Sequence, residues 1–123
     1  MGIDLRPAQA LRLLHQTALD QAREDAPDLT LRQTAILLTI YLEPPPHTVR
    51  GLAAKLVVTK PVITRALDTM GGYGLVERRR DPADRRNVLI KRTVAGSLYV
   101  SKMADRLVRR VLFPLSQNLR VES

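Results

Sequence analysis

Arg50-Gly51-Leu52-Ala53-Ala54-Lys55-Leu56-Val57-Val58-Thr59-Lys60-Pro61-Val62-Ile63-Thr64-Arg65-Ala66-Leu67-Asp68-Thr69-Met70 decides the fold of this 123-residue chain. Two short helical patterns flank the turn Val57-Val58-Thr59. Gly74-Leu75-Val76-Glu77-Arg78-Arg79-Arg80 and Val88-Leu89-Ile90-Lys91-Arg92 follow as partly β-branched runs. Between these runs, residues 81–87 carry turn residues, the signature of a hairpin. Helix, turn, helix, strand, basic loop, strand is the order of a winged helix-turn-helix. The expected class is mainly α (α+β), with one helix and one charged hairpin placed where both can touch a DNA duplex.

Outward from this stretch, Pro7 can open a helix, because its missing N–H would lack an intrahelical partner there. Ala8, Leu11, Leu14, His15, Ala18, Leu19 and Ala22 recur at three- and four-residue steps, predicting a helix over about residues 7–24. Asp25-Ala26-Pro27-Asp28 ends it. Thr30 is a suitable N-cap for residues 31–42, which are apolar nearly all round and therefore central. Glu43-Pro44-Pro45-Pro46 stops that helix. His47-Thr48-Val49 is expected as a short strand beside the hairpin. Ile63, Ala66, Leu67 and Met70 should face inward, and Gly71, Gly72 and Gly74 should end their helix. Thr93 can cap a last helix with the stripe Gly96, Tyr99, Met103, Leu107 and Val111. Pro114 should break that helix, and residues 117–123 should fray. No repeat, linker or second domain is visible, so residues 1–123 are read as one domain with its core in 30–93.

Charge singles out the same segment. The net charge is +8, yet residues 50–92 hold eleven Lys/Arg against four Asp/Glu, a local +7. A basic patch on an otherwise balanced chain is the electrostatic footprint of nucleic-acid binding. With one Phe, three Tyr and no Trp, the apolar residues suit helices packed through aliphatic ridges. No apolar run approaches the ~20 residues of a membrane span, and the N-terminus lacks a signal-peptide layout. The absence of cysteine excludes disulfides and thiol sensing, and fits the cytoplasm.

A helix-turn-helix works by placing the N-terminal residues of its second helix against base edges in the major groove. Lys60, Pro61, Thr64 and Arg65 stand at that leading end. Arginine can pair bidentately with guanine, and threonine can hydrogen-bond or touch a thymine methyl. Thr59 and Lys60 could instead hold phosphates. The competing role for Arg65 is a salt bridge to Asp68. At the hairpin tip, one of Arg85 and Arg86 should bond Asp81 or Asp84 and stiffen the loop. Arg85, further from the strand, is the better candidate for a narrow minor groove. Arg78 and Arg80 share a strand face and either reach the DNA backbone or stay solvated. His15 reads as a core or interface histidine rather than a metal ligand. No nucleophile–base set or phosphate-binding loop is present, so neither an enzyme, a metal nor a cofactor is expected.

Leu52-Ala53, Leu56, Thr59, Ile63-Thr64-Arg65, Gly74-Leu75-Val76, Arg79, Asp81-Pro82, Asp84-Arg85-Arg86 and Thr93-x-x-Gly96 together resemble the MarR-type winged-helix transcription regulators. The resemblance spans about residues 30–112, and the Asp-Pro-x-Asp-Arg-Arg wing followed by Thr-x-x-Gly is its specific part. It implies a homodimeric regulator, usually a repressor, on a pseudo-palindromic site in double-stranded DNA at the bacterial nucleoid. It also implies readout by Pro61, Thr64, Arg65 and Arg85, with Asp81 and Asp84 shaping the wing. Dimerisation helices at about 7–24 and 94–113 would offer Leu11, Leu14, Ala18, Tyr99, Met103, Leu107 and Val111. Three departures stand out. Val57 occupies a turn position that often carries glycine, and a β-branched residue at positive φ is strained, so another turn conformation is expected. The chain is short for the family at both ends. Many relatives bind aromatic effectors, but this chain has few aromatics and names no effector. The alternative reading is a winged-helix interaction module or co-regulator without autonomous operator binding.

Overall fold

The computed structural model describes residues 5–113. Its elements are α1 (Pro7–Arg23), α2 (Leu31–Leu42), α3 (Val49–Leu56), α4 (Lys60–Gly72), β1 (Val76–Arg80), β2 (Val88–Arg92) and α5 (Val94–Leu112). The expectations for Pro114 and residues 117–123 lie outside the described residues. The chain forms two compact units, one spanning residues 29–100 and the other comprising the flanking segments up to residue 28 and from residue 101.

The 29–100 unit is organised on α2. Thr30 closes a capping box: its hydroxyl accepts from the Gln33 N–H at 3.1 Å, and the Gln33 side chain accepts from the Thr30 N–H at 2.9 Å. Ile36, Leu37 and Ile40 are wholly buried, as the central position of α2 requires. Its ends are not, since Leu31 and Leu42 are exposed. Leu52 and Ala53 of α3, and Ile63, Ala66, Leu67 and Met70 of α4, complete the helical core. Leu75, Val76 and Ile90 seat the hairpin against it. The strands pair antiparallel with Val76 opposite Arg92 and Arg80 opposite Val88.

Two local expectations are overturned. Val57 does adopt the left-handed conformation (φ 57°, ψ 51°). Around it the Val58 N–H donates to the Ala53 carbonyl at 3.0 Å and the Val57 N–H to Ala54 at 3.3 Å. This is a Schellman ending, which satisfies two carbonyls that the end of α3 would otherwise leave open. Those bonds hold the valine where glycine would be free of strain. The second correction concerns residues 47–49. The His47 carbonyl does accept from the Ile90 N–H at 2.9 Å, but no third strand forms among the described residues. Thr48 instead caps α3, its hydroxyl accepting from the Gly51 N–H at 3.0 Å, and Val49 is already helical. As expected, α4 ends among its glycines: Gly72 is its last residue, and Gly74 follows at a φ of 76°.

A tyrosine joins α2 to the base of the hairpin. The Tyr41 hydroxyl donates to the Leu75 carbonyl at 2.7 Å and accepts from the Thr93 N–H at 2.9 Å. The Thr93 hydroxyl accepts from the Gly96 N–H at 2.9 Å, the cap expected for α5, and donates to the Gly74 carbonyl at 2.7 Å. A Cβ on Gly96 would stand 1.8 Å from the Tyr41 hydroxyl and 2.2 Å from the Leu75 carbonyl, so this approach requires glycine.

The unit of flanking helices is built differently. No residue of α1 is buried. The Arg110 guanidinium grips both carboxylate oxygens of Asp20 at 2.8 and 2.6 Å and donates to Gln16 at 2.8 Å. Arg106 donates to Gln21 and lies 3.5 Å from Glu24. These hydrogen bonds from Arg110 hold the Asp20 carboxyl below its ordinary pKa, against the opposing effect of burial. The same pair raises Arg110 above its usual value. Leu11, Leu14, His15 and Ala18, expected on one stripe, are all exposed. His15 is therefore not a core residue. On α5, Met103 and Val111 are half-buried and Leu107 is exposed. Tyr99, offered for a dimer surface, is buried at 9% exposure within the chain.

Candidate nucleic-acid interface

The start of α4 presents a polar face because its opposite side is locked into the core. Thr59 is the N-cap; its carbonyl accepts from the Val62 and Ile63 N–H groups, while its hydroxyl makes no capping bond. Pro61 sits in the first turn, where a missing N–H does no harm. Burying Ile63, Ala66, Leu67 and Met70 leaves Lys60, Pro61 and Arg65 exposed, with Thr64 half-buried. The expected alternative for Arg65 does not occur. Asp68 is taken by Arg78, whose Nη2 lies 2.5 Å from Oδ1. Among the described residues, the Arg65 guanidinium has no ion pair.

The wing is stiffened by its own carboxylates. Asp81 accepts from the Ala83 N–H at 2.9 Å, and Asp84 accepts from the Arg86 N–H at 3.1 Å. These turns are bounded by backbone bonds from Asp81 to Asn87 at 3.0 Å and from Asn87 to Asp84 at 2.9 Å. Arg86 adds its guanidinium to Asp84 at 3.2 Å. Arg80 donates to the Arg85 carbonyl at 2.8 Å and so braces the tip. Arg85 is exposed, and its guanidinium is without an ion pair among the described residues. Asp84 thus takes one of the two tip arginines and leaves the other.

Arg78 and Arg80, expected either at the DNA backbone or in solvent, are exposed and also have intrachain partners: Asp68 for the first and the Arg85 carbonyl for the second. Exposed pairs of this kind contribute little to stability, about 0–1 kcal/mol, but they orient the side chains that make them. Arg79 pairs with Glu77.

Periodicity missed three residues that hold the interface in place. Arg92 belongs to the basic run and is exposed, yet its guanidinium folds back on α2, donating to the Ile40 and Glu43 carbonyls at 2.8 and 3.0 Å and lying 5.8 Å over the Tyr41 ring. His47 is buried, with Nε2 3.1 Å from the Glu43 carbonyl. Tyr41 reads as one more apolar residue of α2 until its hydroxyl is located. The only hint was the pairing of Thr93 with Gly96.

A winged helix-turn-helix with a basic reading helix and a braced, arginine-tipped wing defines a class of DNA-binding protein. A family-level comparison matches residues 29–88 to the MarR family. The transcriptional regulator HosA of Escherichia coli O111:H- is 35% identical over 96 residues, covering 78% of this chain and 70% of that protein. The chain belongs to the MarR family, whose members regulate transcription rather than catalyse reactions. A mutant MarR from E. coli, solved in complex with operator DNA, is 28% identical with a TM-score of 0.65, covering 87% of this chain and 71% of that one. A mutant MepR from S. aureus shares the fold at a TM-score of 0.72 and 19% identity, covering 93% of this chain and 85% of that one. Among the described residues, no helix is long and apolar enough to cross a membrane.

Proposed function

We propose that this regulator binds DNA sequence-specifically as a homodimer on a pseudo-palindromic site and acts as a repressor. Each α4 lies in the major groove, where Lys60, Pro61, Thr64 and Arg65 meet base edges and Thr59 holds a phosphate. Each wing sets Arg85 in the adjacent minor groove, with Arg86 beside it. Arg78 and Arg80 reach phosphates only through the atoms their intrachain bonds leave over. The observation that carries the reading is Arg85, left without an ion pair on a loop whose own aspartates are already engaged.

Dimerisation falls to the flanking helices. The exposed apolar stripe of Leu11, Leu14 and Ala18 supports this, together with Met103, Leu107 and Val111 on α5. Residues 1–123 then act as one functional domain, with the reading core in 30–93. Two reading helices about 34 Å apart match successive turns of duplex. A dimer seated across a promoter represses by occupying it. The operator-bound MarR relative supports a DNA target at the nucleoid, in the bacterial cytoplasm. A small-molecule effector, where one exists, acts on this same DNA-bound state.

The test is a titration of random-sequence duplex across a salt series. Six to ten phosphate contacts predict an affinity loss of ~10³–10⁵ between 50 and 200 mM salt. A protein that is strictly monomeric in light scattering, or binding indifferent to salt, overturns the proposal. Arg65→Ala should relax preference at one base position by roughly 1–3 kcal/mol.

A further inference from the structure

The hairpin register ends with Val76 opposite Arg92, so Leu75 and Thr93 would form the next rung. The Tyr41 hydroxyl stands in that rung, bonded to the Leu75 carbonyl at 2.7 Å and the Thr93 N–H at 2.9 Å. A group from α2 therefore closes the base of the wing. Gly96 leaves the space for it, since a Cβ there would overlap the hydroxyl. Arg92 adds a second grip from the strand side, donating to two carbonyls at the end of α2 and covering the Tyr41 ring. Both grips join the hairpin to the helix that buries Ile36, Leu37 and Ile40 completely. A bond at the base of a hairpin governs where its tip points, because a small rotation there becomes a large displacement at residues 81–87.

We propose that Tyr41 is a positioning residue for DNA binding: its hydroxyl, supported by Arg92, sets the direction of the wing so that Arg85 reaches the minor groove while α4 occupies the major groove. The proposal rests on the DNA-binding reading above. It adds that the direction of the wing is set by α2, while the wing's own loop stiffens the tip.

The experiment is a double-mutant cycle on the full chain. The probe is a duplex selected from a random-sequence library by the wild-type protein. In the wild-type background, Arg85→Ala should weaken binding about tenfold, within the range of a single groove contact. In a Tyr41→Phe background, which keeps the ring but removes the hydroxyl, Arg85→Ala should change affinity less than about twofold. Tyr41→Phe should leave base preference opposite Arg65 unaltered. A purely structural role would lower thermal stability but leave the effect of Arg85→Ala the same in both backgrounds, and that result overturns the proposal. If Arg85→Ala has no effect even in the wild type, the minor-groove reading itself falls, and this inference with it. Should Tyr41→Phe fold poorly, Arg92→Lys removes the two-carbonyl grip while leaving the hydroxyl, and the same loss of coupling is expected.

Discussion

The two units of this chain are stabilised in opposite ways. Residues 29–100 close over an aliphatic centre in which Ile36, Leu37, Ile40, Ile63, Leu67 and Met70 are wholly buried. The flanking helices bury no residue of α1 and meet through arginines, two carboxylates and glutamines, with Leu11 and Leu14 exposed. One unit has a wholly buried apolar centre, and the other leaves Leu11 and Leu14 exposed while half-burying Leu13 and Leu19. The first arrangement suits a rigid reading head, whose side chains must be held still against DNA. The second suits the dimer surface proposed above, since Leu11 and Leu14 add to an exposed apolar patch of the kind that marks interaction sites.

The comparison can be broken most directly at its strongest side. Ile36→Ala should lower the unfolding free energy by about 3–4 kcal/mol in chemical denaturation, the usual result of a large-to-small change in a packed core. A loss under about 1 kcal/mol would mean that the centre of the reading unit is not tightly packed. Asp20→Asn probes the other unit. Removing a charge-assisted grip should reduce hydrogen-exchange protection in α1 by about 2 kcal/mol. The pH dependence has a definite sign. Hydrogen bonds from Arg110 depress the Asp20 pKa, so the stabilisation is fully present above the ordinary aspartate value of about 3.9. It is lost as pH falls through the depressed folded value, and the asparagine variant should lack this acid-side loss.

Smaller effects sharpen the contrast. Val57 is the one place where the well-packed unit departs from low-energy rules, being left-handed and 89% exposed. Val57→Gly should raise stability by about 1 kcal/mol in the same denaturation experiment, as strain relief outweighs glycine's added chain entropy. Leu14→Ser should change the stability of the monomer least, within about 0.5 kcal/mol, since the side chain is already exposed. It should nonetheless raise the concentration at which dimers form in sedimentation. An unchanged dimer would remove Leu14 from the interface.

Much of the architecture was legible in order and spacing. Thr30 and Thr93 announced the starts of α2 and α5, and the alternation of Ile63, Ala66, Leu67 and Met70 gave the inward side of α4. Asp84 beside Arg85 and Arg86 foretold a loop that would neutralise one arginine and leave another. These are near-neighbour relations, set by helix period, capping and turn chemistry. The misreadings are of another kind. Asp68 was weighed as a partner for Arg65 on its own helix, yet it pairs with Arg78 on the hairpin. At Val57 the steric preference of the residue suggested one turn, and the two bonds of the helix ending imposed another.

The sequence by itself determined the succession of elements, the concentration of positive charge on one segment and the composition of the wing, because each follows from local periodicity or counting. Only the tertiary structure decided which charges are already paired, that a tyrosine hydroxyl closes the base of the wing, and that Leu11 and Leu14 of α1 are left exposed. Those outcomes depend on which surfaces meet when distant segments pack, and burial elsewhere in the chain sets the direction in which each side chain is left to point.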